Sequence, residues 1–215
     1  MGPRPLMLAV AIGLIAGAAN AQTTVGAVVG VSDQSAGAND LPYLGLPFGG
    51  TKIAAIGLID RDWRRRLAIG GEVSTAGQIS GEQSQRNGTS TNAFVSRHRD
   101  TVFSATAKFG VTVGRVRASA VGGAGGALRR TSREGTTASI FPPASRAPFS
   151  DTLTNFVFAY SIGADVRFAL TDRLAILAIG RRHRLKDDDR LASGVVARGV
   201  SSTIYRAGVG AQWRF

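Results

Sequence analysis

The chain has 215 residues, a formal net charge of +12 at pH 7 and no cysteine. The length fits one domain, and the missing thiols exclude disulfides and thiolate metal sites. Nucleic-acid binding is the obvious interpretation of a basic protein. However, the basic residues are scattered as pairs and singles, and the N-terminus argues for export.

Residues 1–21 predict a cleaved secretory signal peptide. A basic residue precedes an apolar run at residues 6–18, and Ala19 and Ala21 supply the small-x-small pattern that signal peptidase cuts. The alternative is a membrane anchor helix, but the run is shorter than the roughly 20 apolar residues that such a helix needs. We expect cleavage after Ala21 and one mature domain at residues 22–215. Export separates this domain from nucleic acid, so nucleic-acid binding is not expected.

Eight strand candidates follow in the mature chain, each with apolar residues at alternate positions. They lie at residues 24–31, 52–59, 67–75, 101–111, 116–128, 156–168, 174–182 and 205–215. The connections between them alternate between long polar segments and short turns. The long connections are predicted at 32–50, 77–100, 129–154 and 183–200, and the short turns at 60–66, 112–115 and 169–173. This rhythm predicts an antiparallel up-and-down sheet with its short turns and both termini at one side.

The sixth candidate shows the alternation most clearly after the last one. Its apolar residues take every second position from Phe156 to Phe168, with small or charged residues between them. The facing of the second and seventh strands stays open, and in the seventh Ile176 and Leu177 are adjacent and both large. No later segment is long and apolar enough for a spanning helix, so a membrane location would require strands.

The closing strand has one apolar face, on which Tyr205, Val209, Trp213 and Phe215 lie. This ending resembles the C-terminal sorting signal of bacterial outer-membrane β-barrels, which the barrel-assembly machinery reads. The turn at residues 169–173 also resembles the periplasmic turns of small OmpA-type barrels. We therefore assign the closing strand a role as assembly signal.

The two ends of the chain and the alternation of long connections with short turns together resemble a small OmpA/OmpX-type, porin-like outer-membrane protein. The resemblance extends across residues 22–215. The resemblance implies an all-β fold: an eight-stranded antiparallel transmembrane up-and-down β-barrel in the bacterial outer membrane. It implies outer-membrane lipid and lipopolysaccharide as partners, with the barrel-assembly machinery during biogenesis, and no cofactor. A soluble exported barrel of lipocalin type is the competing fold, with its apolar face inside.

Three functions stay open at this point: a structural or surface-interaction role of four long extracellular loops, a narrow passive pore, and a lipid-modifying enzyme. We expect no enzyme, because no histidine–serine pair or placed carboxylate matches the known barrel enzymes. An unknown extracellular ligand would suit the apolar loop residues, although packing of loop on loop explains them equally well. These residues are Leu41, Tyr43, Leu44, Leu46, Phe48, Ile140, Phe141, Pro142, Pro143 and Phe149.

Inward charges form the candidate site. In the proposed register the lumen-facing residues are Glu72, Lys108, Arg117, Asp165 and Arg167. The interior of an eight-stranded barrel is only wide enough to be filled by side chains, so these charges should pair across it and plug the lumen. We expect Glu72 and Asp165 to hold Lys108 and the neighbouring arginines.

Two other polar groups receive a structural interpretation. His98 and His183 fall near predicted loop ends, so we interpret them as solvated loop histidines rather than catalytic bases. The carboxylates at 187–189 lack the spacing of a calcium loop and have basic neighbours on both sides. Local charge pairing is therefore favoured over a metal site.

Overall fold

The computed structural model describes residues 22–36, 49–64, 66–87, 90–139, 146–186 and 202–215. The strands are β1 Thr23–Ala36, β2 Gly49–Arg64, β3 Leu67–Ala76, β4 Ile79–Asn87, β5 Ser90–Val113, β6 Val116–Ser139, β7 Arg146–Ala169, β8 Leu174–Leu185 and β9 Ser202–Arg214. The predicted signal peptide at 1–21 lies outside the described residues. No helix in the described ranges is long and apolar enough to cross a membrane.

The strands form one closed antiparallel barrel. Each strand pairs with its neighbour in chain order except that β3 pairs with β5 instead of β4, and β9 pairs back onto β1. β3 and β4 pair with the lower and the upper part of β5, so together they occupy one strand position. The barrel wall therefore has eight strand positions. We call the junction of β1 and β9 the seam. Beside it, the amide of Phe215 donates to the carbonyl of Thr23 at 3.0 Å. The predicted eight-stranded up-and-down fold is confirmed.

The two faces of the wall have opposite chemistry. Large apolar side chains are exposed on the outside, with Val29, Phe156 and Ile162 more than half exposed. Charged side chains such as Lys108 and Arg181 are buried on the inside. A lipocalin-type barrel would show the reverse arrangement, and lipid is the solvent that makes an apolar outer wall stable.

The structure settles the two facings that the sequence left open. In β2 the buried positions include Ala54, Ile56 and Asp60, and in β8 they include Leu177 and Arg181. Part of the lumen is therefore filled by apolar packing. One buried cluster joins Val28, Ile56, Leu58, Leu177 and Ile179, and another joins Val102, Ala127, Val157, Ala159, Leu185 and Ile204.

The predicted bounds of several connections are wrong. The stretch 77–100 is almost entirely β4 and the start of β5, and most of 129–154 belongs to β6 and β7. Likewise, β2 continues through most of the predicted turn at 60–66. Backbone ladders hold these polar stretches as strands, and they need no apolar face to do so above the membrane. The apolar loop residues at 41–48 and 140–143 and the carboxylates at 187–189 lie outside the described residues.

The β1–β9 seam depends on close backbone contact. A Cβ atom on Gly30 would overlap the carbonyl oxygen of Ala207, and one on Gly210 would overlap that of Ala27. Glycine is therefore required where these two strands approach each other.

Candidate functional site: the polar lumen

Five charged residues form a layer across the lower lumen, which we call the lower charge layer. They are Asp60, Glu72, Lys108, Asp165 and Arg181, from β2, β3, β5, β7 and β8. The ammonium of Lys108 lies 2.7 Å from a carboxylate oxygen of Asp60 and 2.7 Å from one of Asp165. Arg181 donates through Nε to Glu72 at 2.8 Å and through Nη1 to Asp165. The layer therefore links five of the eight strand positions of the barrel wall.

Asp165 is the shared member of this layer. One of its oxygens accepts from Lys108 and the other accepts from Arg181. All five side chains are almost completely buried, so the charges are held where water screens them little. The layer contains three carboxylates and two cations, and it carries one formal negative charge more than its cations balance.

Gln212 extends the lower charge layer to the seam. Its amide donates to Asp60 Oδ2 at 3.3 Å and to the Thr24 hydroxyl at 2.7 Å. The layer is thereby connected by hydrogen bonds to both β9 and β1.

A second set of contacts lies higher in the lumen, and we call it the upper polar layer. It consists of Gln34, His98, Asp100, Arg129 and Arg206. The Asp100 carboxylate accepts from Gln34 at 2.9 Å and from Arg129 at 3.3 Å, and it lies 2.8 Å from His98 Nε2. These bonds join β1, β5 and β6.

Arg206 crosses the lumen from β9 and is only 2% exposed. Its guanidinium donates to the hydroxyls of Ser32 and Ser74 and to the backbone carbonyl of Asp100. Hydroxyl and carbonyl oxygens thus hold this buried cation.

The interpretation of both histidines as solvated loop residues is wrong. His98 is 7% exposed and its Nδ1 lies 3.1 Å from the Thr131 hydroxyl, while His183 is 0% exposed. Both lie on strands that continue past the predicted ends, and in those strands the alternation turns their rings inward. Nδ1 and Nε2 of His183 have no hydrogen-bond partner within the described residues.

The structure divides the five predicted lumen residues between two places. Glu72, Lys108 and Asp165 lie in the lower charge layer, but the partner of Glu72 is Arg181 and not Lys108. Arg117 pairs instead with Asp62 at 2.8 Å nearer the lower mouth. Arg167 lies opposite Arg117 in the β6–β7 ladder and lines the same mouth.

Sequence reasoning missed Asp60, Arg181 and Arg206 as site residues. Asp60 was assigned to a turn, and Arg181 lies on a strand whose facing was open. The run of alternate residues Ala54, Ile56, Leu58 and Asp60 continues one inward face, and following it to its end would have found Asp60.

The predicted assembly residues occupy the outer face of the closing strand. Tyr205, Val209 and Trp213 point outward, and Phe215 is 77% exposed beside β1. Their role as an assembly signal stays a prediction. Among the described residues no group of three or more His, Asp or Glu side chains could hold a metal ion.

A closed eight-stranded antiparallel barrel with an apolar outer wall and a charged lumen defines the class of bacterial outer-membrane β-barrel proteins. The fold is similar to the crystal structure of Neisserial surface protein A, which is 12% identical with a TM-score of 0.52, and the match covers 93% of this chain and 99% of that one.

Two further solved structures are similar at lower scores. Ail, the attachment invasion locus protein of Yersinia pestis, is 12% identical with a TM-score of 0.49, covering 92% of this chain and 100% of Ail. OprG from Pseudomonas aeruginosa is 9% identical with a TM-score of 0.46, covering 90% and 95%. No protein-family model and no curated protein matches the sequence. The similarity to Neisserial surface protein A therefore supports the barrel fold.

Proposed function

We propose that this chain is a non-catalytic outer-membrane barrel that presents a β-sheet above the membrane for contact with other surfaces, and whose lumen is held closed by ion pairs. The length of three strands carries the proposal. β5, β6 and β7 each contain 24 residues, whereas a transmembrane strand needs about 9–11. About a dozen residues of each strand therefore extend beyond the membrane.

The extended part lies on the side opposite the short turns, which is the extracellular side of an outer-membrane barrel. Here β4, β5, β6 and β7 form a continuous sheet. Within the described residues, β8 pairs with β7 only from Ala159 onward, and β4 pairs with β5 alone. Strand edges of this kind offer backbone donors and acceptors to an added strand, which supports an interaction role.

The lower charge layer supports a closed lumen. It places ion pairs across the interior of a barrel that side chains are able to fill. A narrow passive pore is the second candidate. A cavity of about 30 Å³ among Asp62, Lys108 and Arg117 favours it, because it leaves room for water at the lower mouth.

Shortening the extended sheet tests the surface role. Residues 131–136 and 148–153 pair with each other in register, so deleting both segments removes six residues from β6 and six from β7. Because six is an even number, the remaining residues of both strands keep their facing. We expect the shortened protein to keep its heat-modifiable migration on gels. Cell-to-cell aggregation and attachment to polystyrene should fall to the level of cells without the protein.

Attachment equal to wild type, at equal amounts of surface protein, would show that the sheet does not carry the function. The closed lumen is tested separately by single-channel recording of the wild-type protein in planar bilayers. Steady openings in most recordings would favour the pore instead.

A further inference from the structure

Three cations form a line up the outer wall of β8, which we call the outer basic stripe: Arg182, Arg184 and Lys186. All three are exposed, because the inward positions of this strand are Arg181, His183 and Leu185. Within the part of the chain that the structure describes, none of the three forms an ion pair with a carboxylate. The stripe therefore offers positive charge on a wall that otherwise faces lipid.

The height of the stripe follows from the ladder between β8 and β9. Arg182 lies opposite Tyr205, eight residues above Trp213 on β9. At about 3.3 Å per residue and a tilt of about 40°, this places Arg182 about 20 Å above Trp213 along the barrel axis. The apolar band of such barrels is about 25 Å tall and is flanked by aromatic residues at both boundaries. With the exposed Trp213 at the lower boundary, Arg182 lies just below the extracellular boundary and Arg184 lies at it.

Aromatic rings flank the stripe at this height. The Arg182 guanidinium lies 5.9 Å from the centre of the Tyr205 ring, and Tyr160 lies opposite Arg184 in the β7–β8 ladder. Aromatic residues at this depth are typical of the boundary between acyl chains and headgroups. A long arginine side chain there can raise its charge to the headgroups while its methylenes stay in the apolar band.

A groove on the outer wall lies next to the stripe. It has a volume of about 680 Å³, and its lining includes Val31, Ile162, Gly180, Arg182, Tyr205 and Ala207. Gly180 and Ala207 are neighbours in the β8–β9 ladder and supply the low floor, since neither has a side chain longer than a methyl group. Asp33 also lines the groove and accepts a hydrogen bond from Thr51 on β2. The volume lies within the usual range of ligand pockets, about 300–1,000 Å³.

We propose that this wall binds a phosphorylated glycolipid of the outer leaflet, such as the lipid A part of lipopolysaccharide. One acyl chain lies in the groove over Gly180 and Ala207, and a phosphate is held by Arg182 and Arg184. Guanidinium groups match phosphate oxygens with paired hydrogen bonds, and they do so most strongly where little water competes. The proposal rests on the outer wall alone and is independent of the role proposed for the extended sheet.

The test is native mass spectrometry of the folded full-length mature protein after mixing with diphosphorylated lipid A in detergent micelles. Wild-type protein should retain one lipid A. The double variant Arg182→Gln/Arg184→Gln should retain about tenfold less or lower, since both phosphate contacts are lost. The matched control is Arg130→Gln, which removes an exposed arginine from β6 outside the groove and should retain lipid A as wild type does.

A second variant tests the groove with the arginines in place. A Cβ at Gly180 meets no atom within 4 Å, so Gly180→Leu fills the groove without a backbone clash. It should also lose lipid A. Gly71→Leu on β3 is its control, because a Cβ there makes only an ordinary contact of 3.7 Å with Ile59.

Heat-modifiable migration establishes that each variant is folded before it is compared. Equal retention by wild type and the double arginine variant would overturn the proposal. So would equal retention of lipid A from which both phosphates have been removed, or of phosphatidylglycerol. Unchanged retention by Gly180→Leu would overturn the placement of the acyl chain.

Discussion

Arg181→Gln is the most informative change in the lower charge layer. It removes a buried cation that two carboxylates share, leaving Glu72 without its ion pair and Asp165 with Lys108 alone. Removing one partner of a buried pair commonly costs about 3–5 kcal/mol, because the other charge stays buried and uncompensated. We expect the free energy of unfolding to fall by about this amount.

The double variant Arg181→Gln/Glu72→Gln is the control for the destabilisation expected of Arg181→Gln. It removes one positive and one negative charge, so the layer returns to the same formal charge as in the wild type. Lys108 then still pairs with Asp60 and Asp165. We expect the second change to recover at least about 1 kcal/mol, since it removes the unpaired carboxylate and leaves a neutral amide.

The measurement is reversible urea unfolding in phosphatidylcholine vesicles, followed by tryptophan fluorescence. Arg182→Gln, one residue away but outward, should change the free energy of unfolding by less than about 1 kcal/mol. The ion-pair account would be refuted if Arg181→Gln cost no more than Arg182→Gln, or if Glu72→Gln destabilised the Arg181→Gln variant further.

Three other outcomes are expected. Val166→Arg should cost about 2–4 kcal/mol in the same unfolding assay because Val166 faces lipid near the middle of the apolar band, level with Val209, whereas Thr154→Arg, exposed higher on the same strand, should cost about 0–1 kcal/mol; equal costs would contradict the membrane placement. Phe215→Asp should leave unfolded protein in the periplasm with its leader removed, and membrane fractions with wild-type yield would exclude the assembly role. Gly210→Val should abolish heat-modifiable migration because its side chain overlaps the Ala27 carbonyl, and a folded variant would show that the seam can spread.

Alternation made the barrel predictable, because lipid on one side and packed polar groups on the other impose a period of two on each strand. The alternation from Phe156 to Phe168 reveals both faces of β7 directly. The pattern weakens above the membrane, where water replaces lipid and both faces are polar. For that reason the upper halves of β5 and β6 were assigned to loops, and His98 was interpreted as solvated.

The site was predictable by residue type but not by pairing. Glu72, Lys108 and Asp165 were recognised as inward charges from their own strands. The partner of Glu72 is determined by the relative heights of the strands across the lumen. These heights place Arg181, more than a hundred positions later in the chain, in contact with Glu72. A single strand contains no record of these heights. Arg206 was missed because nothing in its neighbouring residues signals a contact with Ser74.

The membership of the lower charge layer has a consequence for the order of assembly. Its ion pairs join β2, β3, β5, β7 and β8, and they include no residue of the two strands that meet at the seam. A curled sheet with β1 and β9 still apart can therefore already hold its interior ions in place. We expect insertion to proceed through such an open form, in which the interior ion pairs form before β1 pairs with β9. The glycines of the seam then allow the last two strands to join without moving any ion pair.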